Sequence, residues 1–275
     1  MSEIFNQAQL LLGIPDVDEQ QYALTIKSLD DFLKEKQIEH NSEYSDNIWR
    51  LKSSLELKRD YAKVFSLLKE KKHYDAWGLL EICEINLSLI IENSNPDFHK
   101  EARLHFYSEY ISNWQSLFPY AIFFSPGMLV GYYTCSICNT KIRPRNSCKH
   151  KKKKLYCGEI CFHNGHDLEM LEISIVTKPV QKYSVVMKDY DYTVVNYVVE
   201  RLNSPFDGWQ PIRTRKIYPR NMFNSAMPET TCPCKQGDKK FSECCSPKAQ
   251  IEIPHIDIVF AKALPQELCC EIFPY

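Results

Sequence analysis

The chain is poor in glycine, with eight in 275 residues, and between Gly13 and Gly127 only Gly78 interrupts. It has no Gly-x-x-x-x-Gly-Lys-Ser/Thr loop, so the phosphate cradle of a P-loop ATPase cannot be built. No Ser-His-Asp set, carboxylate pair or dinucleotide signature stands out, and no internal repeat. Long apolar runs are missing too. The longest, residues 120–133, is broken by Ser125-Pro126-Gly127 and falls short of the roughly twenty residues that span a bilayer. Met1-Ser-Glu-Ile-Phe lacks the basic and apolar regions of a signal peptide, so a cytoplasmic location is expected. In a reducing cytoplasm the twelve cysteines, many at short paired spacings, point to metal rather than to disulfides.

Proline and cysteine are scarce in one part only. Before residue 117 stand Pro15, Pro96 and Cys83, and the other thirteen prolines and eleven cysteines follow. Charge changes at the same place: residues 1–116 hold 13 Lys and Arg against 20 Asp and Glu, and residues 117–275 hold 21 against 15. The expected fold class is therefore α+β, with an N-terminal helical bundle followed by a mixed, strand-rich half carrying two zinc knuckles. The expected domains are a helical bundle over 1–116, a zinc-ribbon or treble-clef-like α+β domain over 117–203, and 204–275 as a basic connector with a second zinc module and a terminal strand.

In the first part apolar residues recur at helical spacing: Tyr22, Ile26, Leu29 and Leu33, then Ile48, Leu51, Leu55, Ala62 and Phe65. Asp16 or Asp18, Ser42 or Ser45, and Asp75 are the expected N-caps. Asn93 to Asp97 breaks the chain before a last helix through Phe98, Ala102, Phe106, Tyr110 and Trp114. Such a bundle serves as an ordinary helical core or as a platform for binding a partner or for dimer formation. Beyond it, residues 120–124 and 128–133 read as a hairpin around Pro126-Gly127, 171–176 and 183–187 as strands, 190–202 as a short helix, and 251–260 as a final strand.

Two cysteine clusters carry the chemistry. Cys135-Ser-Ile-Cys138 can turn two thiols onto one ion at about 2.3 Å, and Cys148-Lys-His150 can supply the second pair. Cys161 is the main substitute in this first site, and Cys157, His163 and His166 remain over. Cys232, Cys234, Cys244 and Cys245 form the second cluster, so two Zn²⁺ ions are expected. The Cys269-Cys270 pair has no partner in the sequence and is read as packing.

Residues 231–245, Thr-Cys-Pro-Cys-Lys-Gln-Gly-Asp-Lys-Lys-Phe-Ser-Glu-Cys-Cys, resemble the SEC-C motif, the small zinc module at the C-terminus of the SecA translocation motor and on many unrelated bacterial proteins. The resemblance covers about fifteen residues. It implies Cys232, Cys234, Cys244 and Cys245 as ligands, Gly237 in the turn, and Lys239, Lys240 and Phe241 at the partner-docking positions. Lys235 and Gln236 replace the usual Gly-Ser, and the gap before Cys244 is one residue longer. Residues 156–179 also resemble, more loosely, a pattern in bacterial and phage zinc-knuckle proteins.

These features set three expectations for function. The first is a bacterial zinc-binding adaptor that docks a protein partner, with no catalytic residues. The second is a nucleic-acid binder using Lys149, Lys151, Lys152, Lys153 and Lys154, with Lys141, Arg143 and Arg145 nearby and Tyr132, Tyr133 and Tyr156 available to stack bases. The third is a metal-dependent nuclease or hydrolase built on His163 and His166.

Overall fold

The computed structural model describes residues 2–14, 18–145, 148–186 and 189–262. The chain divides into two compact units, Met1–Glu200 and Arg201–Tyr275. Asp16 and the Cys269-Cys270 pair lie outside the described residues. As expected from the sequence, helices come first and a strand-rich half follows.

The first unit opens with α1 (Ser2–Gly13), α2 (Glu19–Ile38), α3 (Ser42–Lys69), α4 (His73–Glu92), α5 (Pro96–Glu101) and α6 (Leu104–Leu117). The long α3 is central and packs against α1, α2 and α4. Its buried stripe includes Ile48, Leu51, Leu55 and Phe65, and it meets Tyr22, Ile26, Leu29 and Leu33 of α2, all buried. Lys58 of α3 is buried as well. Its ammonium donates to the carbonyls of Leu11, at 2.6 Å, and Ile14, placing a cation at the negative end of α1.

Scarcity of glycine is met by other residues at the helix ends. His40 and Lys71 take the left-handed conformation after α2 and α3. In each case the following amide closes back on the last turn, Asn41 to the Lys36 carbonyl and Lys72 to the Leu67 carbonyl, as in a Schellman turn. Asp18 caps α2 as expected. α3 is capped by Asn41, one residue ahead of Ser42, through the Tyr44 amide. Asp75 sits in the first turn of α4 rather than at its cap. The expected last helix is two, because Arg103 adopts φ 52° and restarts the chain.

β1 (Phe123–Cys135) and β5 (His163–Val176) pair antiparallel along their whole lengths, and β2 (Lys141–Ile142) adds to β1 at its knuckle end. Pro126-Gly127 is thus no hairpin turn. The strand runs straight through it, because among the described residues β1 has no neighbour on its other side there and the missing proline amide faces an open edge. A bulge follows: Gly127 opposes Glu172 and Met128 opposes Met170, leaving Leu171 unpaired. Of the strand expected over 183–187, the described residues show one bridge, Val185 to Phe123, and Met187 lies outside them. Its segment is tied to α4 instead, with Trp77 Nε1 donating to the Lys182 carbonyl at 2.6 Å and the Lys182 ammonium meeting Glu84. α7 (Thr193–Arg201) closes this unit.

β3 (Leu155–Tyr156) and β4 (Glu159–Ile160) form a small hairpin docked on the helices. Asn93 receives the Leu155 amide and donates to the Lys153 carbonyl, Asp46 receives the Gly158 amide, and Gln37 donates to the Cys157 carbonyl. Gly158 has φ 77°, and a Cβ there would lie 2.4 Å from Leu33 Cδ1 and 3.1 Å from the Ser45 carbonyl.

In the second unit β6 (Trp209–Pro219) and β7 (Gln250–Phe260) pair in full register. Part of the expected basic connector, including Arg213, Arg215 and Lys216, is thus a strand. A 3-10 turn (Arg220–Phe223) and the one-turn α8 (Phe241–Cys244) complete it. Its core is Tyr218, Phe223, Phe241, Ile251 and Ile253 packed around Cys232, Cys234 and Cys245.

Gly158→Ala is expected to lower stability by about 2 kcal/mol or more, since it combines a left-handed φ with a clash against packed groups. Gly13→Ala, where nothing lies within 4 Å, should change little. Urea unfolding of both variants checks this, and equal stability would contradict it.

Candidate metal centres

The first centre is built where β1 ends. The chain reverses after Cys135, with Asn139 donating to the Cys135 carbonyl at 2.9 Å and Cys135 to that of Thr140 at 3.0 Å. Asn139, at φ 56°, makes the bend. Ser136 locks this knuckle to the β4–β5 junction: its amide donates to the Phe162 carbonyl, and its hydroxyl receives the Phe162 amide. Cys161 and the lysine loop bond to each other, Lys153 to the Cys161 carbonyl and Cys161 to that of Lys154. Tyr156 packs edge-on to His150 and takes the Lys151 amide.

These contacts gather Cys135, Cys138, Cys148 and His150, whose ligand atoms all lie within 4.8 Å of one another. Cys135 Sγ is 3.6 Å from His150 Nδ1 and 3.7 Å from Cys161 Sγ. A tetrahedral ion with sulfur at about 2.3 Å has edges of about 3.8 Å. Cys161, buried like Cys135, is thus a fifth donor one such edge from the site. Cys157 is not part of it, since its thiol turns to Ser45 of α3 at 3.7 Å.

The second centre lies inside the core of its unit. Cys232 donates to the Lys239 carbonyl and Lys235 to that of Cys232, with Lys235 at φ 50° and Gly237 at φ 87° turning the loop. Cys232, Cys234, Cys244 and Cys245 again fall within 4.8 Å of one another. Cys234 is 3.6 Å from Cys244, and Cys244 is 3.7 Å from Cys245. Two connector cations prove to be supports of this loop. Arg215 donates to the Cys234 and Glu252 carbonyls, and Arg220 donates to Ser246 and stacks on Phe241 at 4.8 Å. Only their place beside the cysteines in space reveals this, and the sequence carries no signal of it.

Phe241 is buried in that core, so it holds the module together rather than facing a partner. Residues 235–240 are all exposed. Of the basic loop, Lys149, Lys151 and Lys152 are exposed to solvent, whereas Lys153 and Lys154 turn to Glu92 at the end of α4. His163 and His166 do not converge. Three residues apart on β5, they point to opposite faces, and His166 is held by Thr134 at 2.9 Å and stacked on Tyr132.

The electrostatics suit a dication. Burial works against ionisation of Cys135, but the Cys138 and Ile137 amides outweigh it and bring the thiol to about 7. Burial likewise opposes, and the Gln236 amide with the neighbouring thiols outweighs it, at Cys234, also at about 7. Burial pushes Cys161 up to about 11 and Cys245 to about 12. Without metal each cluster can carry little more than one thiolate, because adjacent negative charges repel. A bound Zn²⁺ reverses that balance and deprotonates coordinating thiols. The two Cys/His groups are placed to hold metal ions, as two zinc sites require.

Comparison with protein-family models, curated proteins and solved structures finds no match for the chain.

Native mass spectrometry is expected to show two zinc ions on the purified chain, one after Cys135→Ser or Cys234→Ser, and two after Cys157→Ser. Protons compete with zinc for thiolates. Zinc should therefore stay bound above the thiol range near 7 and be released as pH falls well below it, which a zinc-chelating dye reports. Release independent of pH would contradict thiolate ligation.

Proposed function

We propose that this chain is a zinc-organised interaction protein of the bacterial cytoplasm, an adaptor whose two structural ions hold docking surfaces in place. The observation that carries this reading is that each centre gathers four protein donors within one ion's reach, with Cys161 beside the first as a fifth, enough to close a structural site rather than leave an open position. In such a site the ion's work is to fix the shape of the loops around it. The loop it presents in the second unit is residues 235–240, with Lys235, Lys239 and Lys240 exposed, and the SEC-C resemblance supports a protein as the partner there. Lys240 is paired with Glu229 at 2.6 Å, which leaves Lys235 and Lys239 as the contact cations.

Quantitative capture from host lysate, comparing the wild type with Lys235→Glu/Lys239→Glu at equal zinc content, tests the proposal. The variant is expected to lose a specific partner by about tenfold or more, in line with charge reversal at an interface rim. An unchanged capture profile would count against docking at this loop.

Nucleic acid is the second reading, favoured by Lys149, Lys151 and Lys152 standing exposed beside the metal ligands Cys148 and His150 with Arg143 and Arg145 also exposed. Three phosphate contacts would give a slope of about −3 in log affinity against log salt, near −0.9 for each. A flat salt response, or no binding at low salt, removes this reading.

A further inference from the structure

Paired residues in an antiparallel ladder point to the same side of the sheet, so the β1–β5 register sorts the ribbon into two faces. One face bears Phe124 with Ile175, Pro126 with Ile173, Met128 with Met170, and Val130 with Leu168, up to Asp167, whose left-handed φ of 52° ends the regular alternation. The other bears the carboxylates Glu169 and Glu172, opposite Leu129 and Gly127. Alternation along β5, Leu168-Glu169-Met170 and then Glu172-Ile173-Ser174-Ile175 across the bulge, is the pattern of a strand with one face in a core. Yet the apolar face is open. Phe124, Met128, Leu168, Met170, Ile173 and Ile175 are between 39% and 71% exposed.

At roughly 200 Å² for a fully exposed side chain of this size, these six expose on the order of 600 Å². A typical monomer's largest apolar patch is about 300–600 Å², and each partner of a standard interface contributes roughly 800 Å². The face is also nearly its own complement. A two-fold axis through the Met128–Met170 pair lays Pro126 and Ile173 over the partner's Val130 and Leu168. From Phe124 to Val130 and from Leu168 to Ile175 this face carries no charge, so nothing repels a like surface and nothing selects a charged partner. A two-stranded ribbon by itself is marginal in water and gains stability when its apolar face is covered.

We propose that the apolar face of the β1–β5 ribbon is the interface of a homodimer, two copies of this chain packed ribbon against ribbon about a two-fold axis near Met128 and Met170. This is separate from the adaptor reading and uses none of its residues. It also places self-association on the ribbon rather than on the helical bundle.

Analytical ultracentrifugation of the zinc-loaded full chain across roughly 1–100 µM tests it. The wild type is expected to be a dimer. Met170→Lys and Ile173→Glu, both at exposed positions, should each raise the dissociation constant about 100-fold or more, with zinc content and helical circular dichroism unchanged. Glu169→Lys on the opposite face should leave the dimer intact. A monomeric wild type overturns the proposal, and so does a dimer that survives both face variants or is lost equally with Glu169→Lys.

Discussion

Coordination of one dication by four side-chain donors is the constraint on which the strand-rich half depends. Sulfurs 3.6 and 3.7 Å apart are too far for a disulfide, at about 2.05 Å, and too close to be stable as a row of bare thiolates. They match the edges of a zinc tetrahedron. Binding free energies of structural zinc, on the order of 10–16 kcal/mol, rival the whole stability of a domain at about 5–15 kcal/mol. In the second unit the cysteines lie in the same small core as Phe223, Phe241, Ile251 and Ile253. A unit of this size buries too little apolar surface to be generous with stability, and the ion completes what the side chains begin.

The first centre is held differently. Its knuckle terminates a long ribbon, and the β3–β4 hairpin beside it is seated on α2, α3 and α4 through Gln37, Asp46 and Asn93. Gly158 allows that seat, one of the few places where this glycine-poor chain spends a glycine on close approach. Folded helices thus offer the metal loop a prepared surface, and the loop's lysines repay it at the end of α4, where Lys154 meets the Glu92 carbonyl. The helical platform therefore need not depend on zinc, whereas the loop depends on both.

Much of this was legible in the sequence because its signals are local. Period-3.6 stripes marked α2 and α3, and the same residues are buried apart from the half-buried Ala62. Cys-x-x-Cys and the close cysteines of residues 232–245 marked both ligand groups, because a short turn determines where a pair of thiols can reach. What the sequence hid is set at long range. Pro126-Gly127 has the composition of a turn, and only the pairing of β1 with β5 shows that its proline faces an open edge. Arg215 and Arg220 are in sequence only part of a basic connector, and it is β6 and the 3-10 turn after it that bring them to the cysteine loop. Phe241 looked like a docking residue until its ring was found in the core. His163 and His166 looked like a pair in sequence, but the two-residue period of a strand sends them to opposite sides.

The most direct measurement is amide hydrogen exchange on the purified chain before and after zinc is removed with a chelator. Loss of protection around residues 132–142, 153–163 and 209–260, with protection in α2, α3 and α4 retained, is the predicted result. Protection in those strand and knuckle segments that is indifferent to the metal would contradict the account.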